Sequence, residues 1–128
     1  MSVKISNGRL ANVKCTSHSI FIMPLYGLFG EHAVESCPLY NRESRSVVLS
    51  INERLDDVSK RHGVRFLGMY HSALEHTFVW VVDAEDAHRL QRFAIDLGIA
   101  SFNLLKIVPL GTFDDLVTAC KRESQPNG

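Results

Sequence analysis

Three histidines of this chain fall at the predicted ends of β-strands, where they are able to form a cluster with a chemical role. His32 ends a first predicted strand, His71 ends a second, and His76 begins a third. Neutral imidazole binds Ni, Zn, Cu and Fe, and three nitrogen ligands leave one coordination position open for water or a substrate. If these strand ends meet, the three histidines form a transition-metal site.

Two further donor residues lie close to these histidines in sequence. Cys37, in the loop after the first strand, adds a thiolate to the expected site. Glu75 adds a carboxylate or orients an imidazole ring through its second nitrogen. Other interpretations stay open: the histidines are surface groups bonded to loops, and Cys37 is either a small buried residue that fixes its loop or a nucleophile with His32 as its base.

The composition of the chain limits the classes of function that are expected for it. The 128 residues have room for one domain with a sizeable core. Lys+Arg and Asp+Glu both number 14, so the formal net charge is zero, whereas nucleic-acid-binding proteins usually carry a basic excess. The three cysteines contain no CxxC pair, and no stretch approaches the roughly 20 apolar residues of a membrane span. We expect a cytoplasmic chain with reduced thiols, without a nucleotide cofactor and with neither nucleic acid nor a membrane as its partner.

Hydrophobic periodicity predicts six main elements and a short last helix. Alternating or continuous apolar runs indicate strands, and apolar residues three or four apart indicate helices. Asn41 suits the N-cap of the first helix, Gly63 suits its left-handed C-cap, and Thr112 or Asp114 caps the last helix. The predicted elements are strand 25–32, helix 41–61, strand 64–71, strand 76–83, helix 85–97, strand 103–110 and a helix after residue 112.

This order of elements predicts an α+β fold, the ferredoxin-like βαββαβ sandwich with a four-stranded antiparallel sheet. In that fold the first two strands are parallel, and the third lies between them and antiparallel to both. The ends of strands that carry the three histidines therefore share one edge of the sheet, where Asn103 is also expected. We expect residues 23–122 to form one domain, residues 1–22 an N-terminal arm or extension, and residues 123–128 a frayed tail.

The sheet of such a sandwich has one face without helices. Large apolar side chains are predicted on that face, and a second copy of the chain packed against it removes them from water, so we expect a homodimer. Tyr26, Tyr70 and Trp80 are expected to line a pocket for a small-molecule ligand or cofactor, either between sheet and helices or between two sheets. The alternative is that these three aromatic residues belong to the plain core.

Three segments, GVRFLGMYHS, EHTFVWVVDAEDA and FNLLKIVPL, give the chain a resemblance to a known superfamily. Over about residues 23–118 it resembles the dimeric α+β barrel superfamily, and its layout is most similar to small stand-alone members and to a nickel-binding subgroup. The resemblance implies ferredoxin-like domains that associate into a barrel. Other members are cofactor-free monooxygenases, muconolactone-type isomerases and haem-degrading enzymes, so the resemblance implies no single activity.

The leading hypothesis from the sequence is a small dimeric binding protein with a histidine-rich site for a transition metal or small ligand at one sheet edge. The first alternative is an oxygenase or isomerase that holds a small substrate in an apolar pocket, with His32 or His71 as its general base. The second alternative is an association module without chemistry.

Overall fold

The fold is built on one four-stranded antiparallel sheet. A computed structural model describes residues 23–125 of the chain. The strands are β1 (Leu25–Glu31), β2 (Arg65–Ser72), β3 (Thr77–Asp83) and β4 (Leu104–Leu110), and the helices are α1 (Arg42–His62), α2 (Ala87–Leu97) and α3 (Phe113–Glu123).

The strand order in the sheet is β2-β3-β1-β4, and every neighbouring pair is antiparallel. With α1 between β1 and β2, and α2 between β3 and β4, this is the ferredoxin-like βαββαβ layout predicted from the sequence. The sheet of the single chain is open and does not close into a barrel. The expectations for residues 1–22 and for the last three residues lie outside the described range.

Side-chain caps fix where the helices begin and end. The Asn41 side chain accepts a hydrogen bond from the Ser44 amide at 2.9 Å, and α1 ends at Gly63, whose φ of 67° is readily adopted only by glycine. Asp86 caps α2, which therefore begins two residues later than periodicity alone predicts. Thr112 caps α3 in a capping box with Asp115. Of the two predicted caps, Thr112 and Asp114, the first is therefore the N-cap.

The core lies between one face of the sheet and the two helices α1 and α2. Val58 from α1 and Phe93 from α2 pack with Leu28 of β1 and Val82 of β3, and all four side chains are fully buried. Burying an aliphatic or aromatic side chain of this size contributes about 1.5–3 kcal/mol each. This core anchors the central strands β1 and β3, whose neighbouring ends carry His32 and His76.

A β-bulge in β2 changes which of its side chains face the core. The register shifts between Phe66, which pairs with Val82, and Gly68, which pairs with Val81. Uninterrupted alternation predicts that Phe66 and Tyr70 share one face, and this prediction is wrong. After the bulge Tyr70 pairs with Val79 on the opposite face of the sheet and is 66% exposed, whereas Phe66 packs against the core.

The helix-free face of the sheet is an open concavity with a volume of about 820 Å³. Its lining is mostly apolar, with a few charged and polar groups at the rim. No helix in the described part of the chain is both long enough and apolar enough to cross a bilayer. Residues that line the concavity include Phe29, Glu31, Tyr70, His71, Leu104 and Lys106.

Candidate metal centre

Two imidazoles and one thiol converge at the end of β1, under the loop that leads to α1. One donor atom from each of His32, Cys37 and His76 lies within 4.8 Å of the other two. Cys37 is buried, and the two histidines are partly buried. Two nitrogens and one sulfur at this spacing match the donor set that Zn²⁺ and Cu ions prefer in proteins.

The β-ladder places His32 and His76. The last paired residues of β1 and β3 are Glu31 and Thr77, and the His32 amide continues the ladder by donating a hydrogen bond to the His76 carbonyl oxygen at 3.1 Å. Because side chains alternate along a strand, His32 lies on the same face as the core residue Leu28. The two imidazole centroids are 5.5 Å apart, and the rings meet edge to face at 66°.

His76 holds a backbone conformation that non-glycine residues rarely adopt. Its φ is 60°, and it is the only residue other than glycine with a positive φ among residues 23–125. Its amide donates to the Ser72 carbonyl oxygen at 3.0 Å, which closes the turn between β2 and β3. Glycine adopts this conformation most readily, and asparagine, aspartate and histidine are the other residues enriched in it.

The β1–α1 loop carries Cys37 into the interior. A short 3₁₀ turn, Val34–Ser36, precedes it, and the Cys37 carbonyl oxygen accepts hydrogen bonds from the Tyr40 and Asn41 amides at 2.9 and 2.7 Å. Pro38 disfavours helical geometry at Cys37, whose ψ of 132° is extended. Cys37 is 3% exposed.

Two ring nitrogens at this site lack a partner. Nε2 of His32 and Nδ1 of His76 are buried and make no hydrogen bond within the described residues. Leaving a buried polar atom unpaired costs about 1–3 kcal/mol, and the large majority of buried side-chain polar atoms find a partner in folded proteins. Two unpaired nitrogens beside a buried thiol are compatible with a metal-binding site.

The remaining nitrogen of His32 is bonded within the protein. Its Nδ1 lies 2.9 Å from Oδ1 of Asn103, and the Phe102 ring packs against the imidazole with centroids 5.6 Å apart. Sequence reasoning placed Asn103 at this sheet edge but gave it no role. The strand order could have identified Asn103 as a partner of His32, because the residue before β4 lies opposite the residue after β1.

Two of the predicted metal ligands lie apart from this cluster. His71 pairs with Phe78 on the edge strand β2, is exposed, and lines the open concavity. Glu75 is exposed in the β2–β3 turn, where its amide donates to the Ser72 hydroxyl at 3.1 Å. The structure therefore brings together His32, Cys37 and His76 of the five predicted ligands.

The three predicted pocket aromatics lie on two different faces of the sheet. Tyr26 and Trp80 are 8% and 7% exposed and belong to the core under the helices. Tyr70 lies on the opposite face and lines the open concavity. The structure thus brings together Tyr26 and Trp80, as core residues, and leaves Tyr70 apart from them.

Comparisons of the chain with protein-family models, with curated proteins and with solved structures found no match.

Proposed function

We propose that this protein binds a transition-metal ion through Nε2 of His32, Nδ1 of His76 and Sγ of Cys37. The pair of buried ring nitrogens without hydrogen-bond partners carries the proposal. A cation bound between them gives each lone pair a partner and removes the cost of burying it unpaired. The strained backbone at His76 supports the same conclusion, because a glycine there gives the turn but not the ligand.

The donor set limits which metals fit. Imidazole and thiolate suit Zn, Ni, Cu and Fe, whereas Ca²⁺ and Mg²⁺ require oxygen ligands, which this cluster lacks. Three protein ligands leave one coordination position of a tetrahedral ion for water or another small ligand. We therefore propose a binding protein for a metal of this group.

Burial supports metal binding over nucleophilic catalysis at Cys37. A catalytic thiol needs an imidazole within hydrogen-bond reach and an approach for the substrate. Among the described residues, no hydrogen bond links the Cys37 sulfur to His32 or His76. Cys37 is only 3% exposed, which gives a substrate little direct access to the sulfur.

We also propose that a second copy of this chain covers the open face of the sheet. Tyr70 and Leu104 on that face are 66% and 73% exposed, and apolar surface of this kind is costly in water. The formal net charge is zero, so two copies do not repel each other at long range. Glu31 and Lys106 lie on the same face and offer opposite charges that a two-fold axis brings together. The resulting arrangement is a dimeric barrel built from two open sheets.

The test of the proposed function is an equilibrium titration of chelator-treated protein with Zn²⁺, monitored against a chromophoric competitor. We expect one Zn²⁺ per chain in the unmodified protein and strong loss of affinity in Cys37→Ser and His32→Ala. His71→Ala is the matched control, since it removes an imidazole near the same sheet edge, and we expect it to bind normally. Absence of stoichiometric binding, or loss of binding in His71→Ala alone, contradicts the proposal.

A further inference from the structure

Asn103 occupies the position directly opposite His32 in the sheet. Glu31 of β1 pairs with Leu104 of β4, so the next pair towards the metal centre is His32 and Asn103. The Asn103 side chain is buried, with 9% of the residue exposed. Its amide group contacts His32 on one side and the Ile99 carbonyl oxygen on the other.

The hydrogen bond to Ile99 decides how the Asn103 amide is oriented. A backbone carbonyl oxygen only accepts hydrogen bonds, so the group 3.1 Å from it is the Nδ2 amide of Asn103, acting as a donor. Oδ1 of the same side chain therefore faces His32. An amide oxygen only accepts, so Nδ1 of His32, 2.9 Å away, carries the proton and donates it.

The position of this proton determines which nitrogen is available to a metal. A neutral imidazole has one protonated and one unprotonated nitrogen, and the hydrogen bond made by one sets the state of the other. With the proton on Nδ1, the lone pair is on Nε2, which is the buried nitrogen without a partner. Asn103 thus leaves the lone pair of His32 on Nε2, the ring nitrogen that is free to bind a metal.

We infer that Asn103 is a positioning residue that holds His32 in the Nδ1–H tautomer and thereby prepares Nε2 as a metal ligand. The use of that lone pair rests on the proposed function, whereas the tautomer itself is a property of the metal-free protein. Hydrogen-bond partners of ligating imidazoles typically change metal affinity about 10–100-fold when they are removed. The same loss is expected when Asn103 no longer accepts from His32.

Two substitutions separate the accepting role of Asn103 from its role in packing. Asn103→Asp keeps an oxygen acceptor beside His32 but removes the donor to Ile99. Asn103→Leu has a similar volume and removes both hydrogen bonds. If Asn103 acts through the tautomer, the aspartate variant behaves like the unmodified protein at His32 and the leucine variant does not.

The test is long-range ¹H–¹⁵N NMR of metal-free protein above neutral pH, which reports which ring nitrogen of His32 is protonated, combined with Zn²⁺ titration of the same samples. We expect the Nδ1–H tautomer in the unmodified protein and in Asn103→Asp. In Asn103→Leu we expect a mixture of tautomers and about 10–100-fold weaker Zn²⁺ binding, with Asn103→Asp restoring most of the affinity.

The outcomes for the inference and for the proposed function are distinguishable. An Nε2–H tautomer in the unmodified protein overturns the inference, whatever the metal affinity. Equal Zn²⁺ affinity in Asn103→Leu and the unmodified protein also overturns it. An Nδ1–H tautomer in a protein that binds no Zn²⁺ supports the orienting role of Asn103 and refutes metal binding. If Asn103→Leu does not fold, the spectra of the other two proteins still decide the tautomer.

Discussion

The amide of His32 donates a hydrogen bond to the carbonyl oxygen of His76 at 3.1 Å, one step beyond the last paired residues of β1 and β3. The backbone of the sheet therefore sets the positions of both imidazoles, whose centroids are 5.5 Å apart. Cys37 reaches the same place from the β1–α1 loop, and its thiol is buried there. The two rings and the thiol thus form one cluster at the end of β1.

Replacing His76 with glycine separates stability from metal binding. Its φ of 60° costs a non-glycine residue roughly 1–2 kcal/mol, and the substitution also removes the buried unpaired Nδ1. Glycine's greater freedom in the unfolded chain offsets part of this gain, so we expect metal-free His76→Gly to be more stable by up to about 1 kcal/mol. Zn²⁺ binding is lost at the same time, and urea unfolding with Zn²⁺ titration measures both changes.

The control for this substitution is His71→Gly. His71 lies in β2 with an ordinary strand conformation, so glycine there lowers stability by about 0.5–1 kcal/mol and leaves Zn²⁺ binding intact. A metal-free His76→Gly protein that is clearly less stable than the unmodified protein refutes the strain argument. Retained Zn²⁺ binding refutes the assignment of Nδ1 as a ligand.

Metal binding is expected to raise the stability of the folded protein. A ligand that binds only the native state at 100 times its Kd adds about 2.7 kcal/mol to the free energy of unfolding. Thermal unfolding with and without Zn²⁺ measures this effect, and Cys37→Ser should remove most of it. A Zn²⁺ effect of equal size in Cys37→Ser contradicts the prediction.

The proposed dimer predicts a specific sensitivity to charge on the open sheet face. Leu104 is 73% exposed there, and Leu104→Asp places a charge where the second copy packs. We expect this variant to be monomeric at concentrations where the unmodified protein is dimeric, as measured by sedimentation velocity. Ile95→Asp is the matched control, since Ile95 is 62% exposed on α2, away from the sheet face. A monomeric unmodified protein, or a dimer that tolerates Leu104→Asp, refutes the proposed interface.

Asp96 makes the stability of the folded protein depend on pH. The hydrogen bond from His62 at 2.9 Å, together with the charges of Arg61 and Arg54, lowers the pKa of the Asp96 carboxyl below its usual 3.8. A carboxyl group whose pKa falls on folding stabilises the fold above its unfolded value and loses that effect as the pH drops through the folded value. We therefore expect Asp96→Asn to be less stable than the unmodified protein near neutral pH, with the difference shrinking below pH 3.8. Urea unfolding across this range checks the trend, and a difference that does not vary with pH contradicts it.

The element order and the sheet edge were predictable because they depend on local patterns. Apolar periodicity, the Asn41 cap and the αL glycine at Gly63 define α1, and the βαββαβ order then determines which strand ends meet. His32 and His76 were placed correctly at one edge by this argument alone. Cys37 comes close to these two histidines because of the 3₁₀ turn that precedes it. Hydrophobic periodicity in the sequence does not predict this turn.

The position of His71 depends on the register of the β2–β3 hairpin. Ser72 pairs with Thr77 around a four-residue turn, so His71 lies opposite Phe78, one step further from the turn than the ladder's end. Turn geometry sets such registers, and a one-residue difference changes which side chains meet. The bulge after Phe66 also changes the register, because a single extra residue reverses the face of Tyr70. Gly68 at the bulge is the sequence signal for it, since a glycine inside a strand often marks a bulge.

The most direct test of the metal centre is X-ray absorption spectroscopy at the zinc edge of the Zn²⁺-loaded protein and of Cys37→Ser. We predict one sulfur scatterer at about 2.3 Å and imidazole nitrogens at about 2.0–2.1 Å, with the sulfur contribution absent from the Cys37→Ser spectrum. A shell of nitrogen and oxygen alone in the unmodified protein, or a sulfur signal that survives the loss of Cys37, contradicts a site formed by His32, Cys37 and His76.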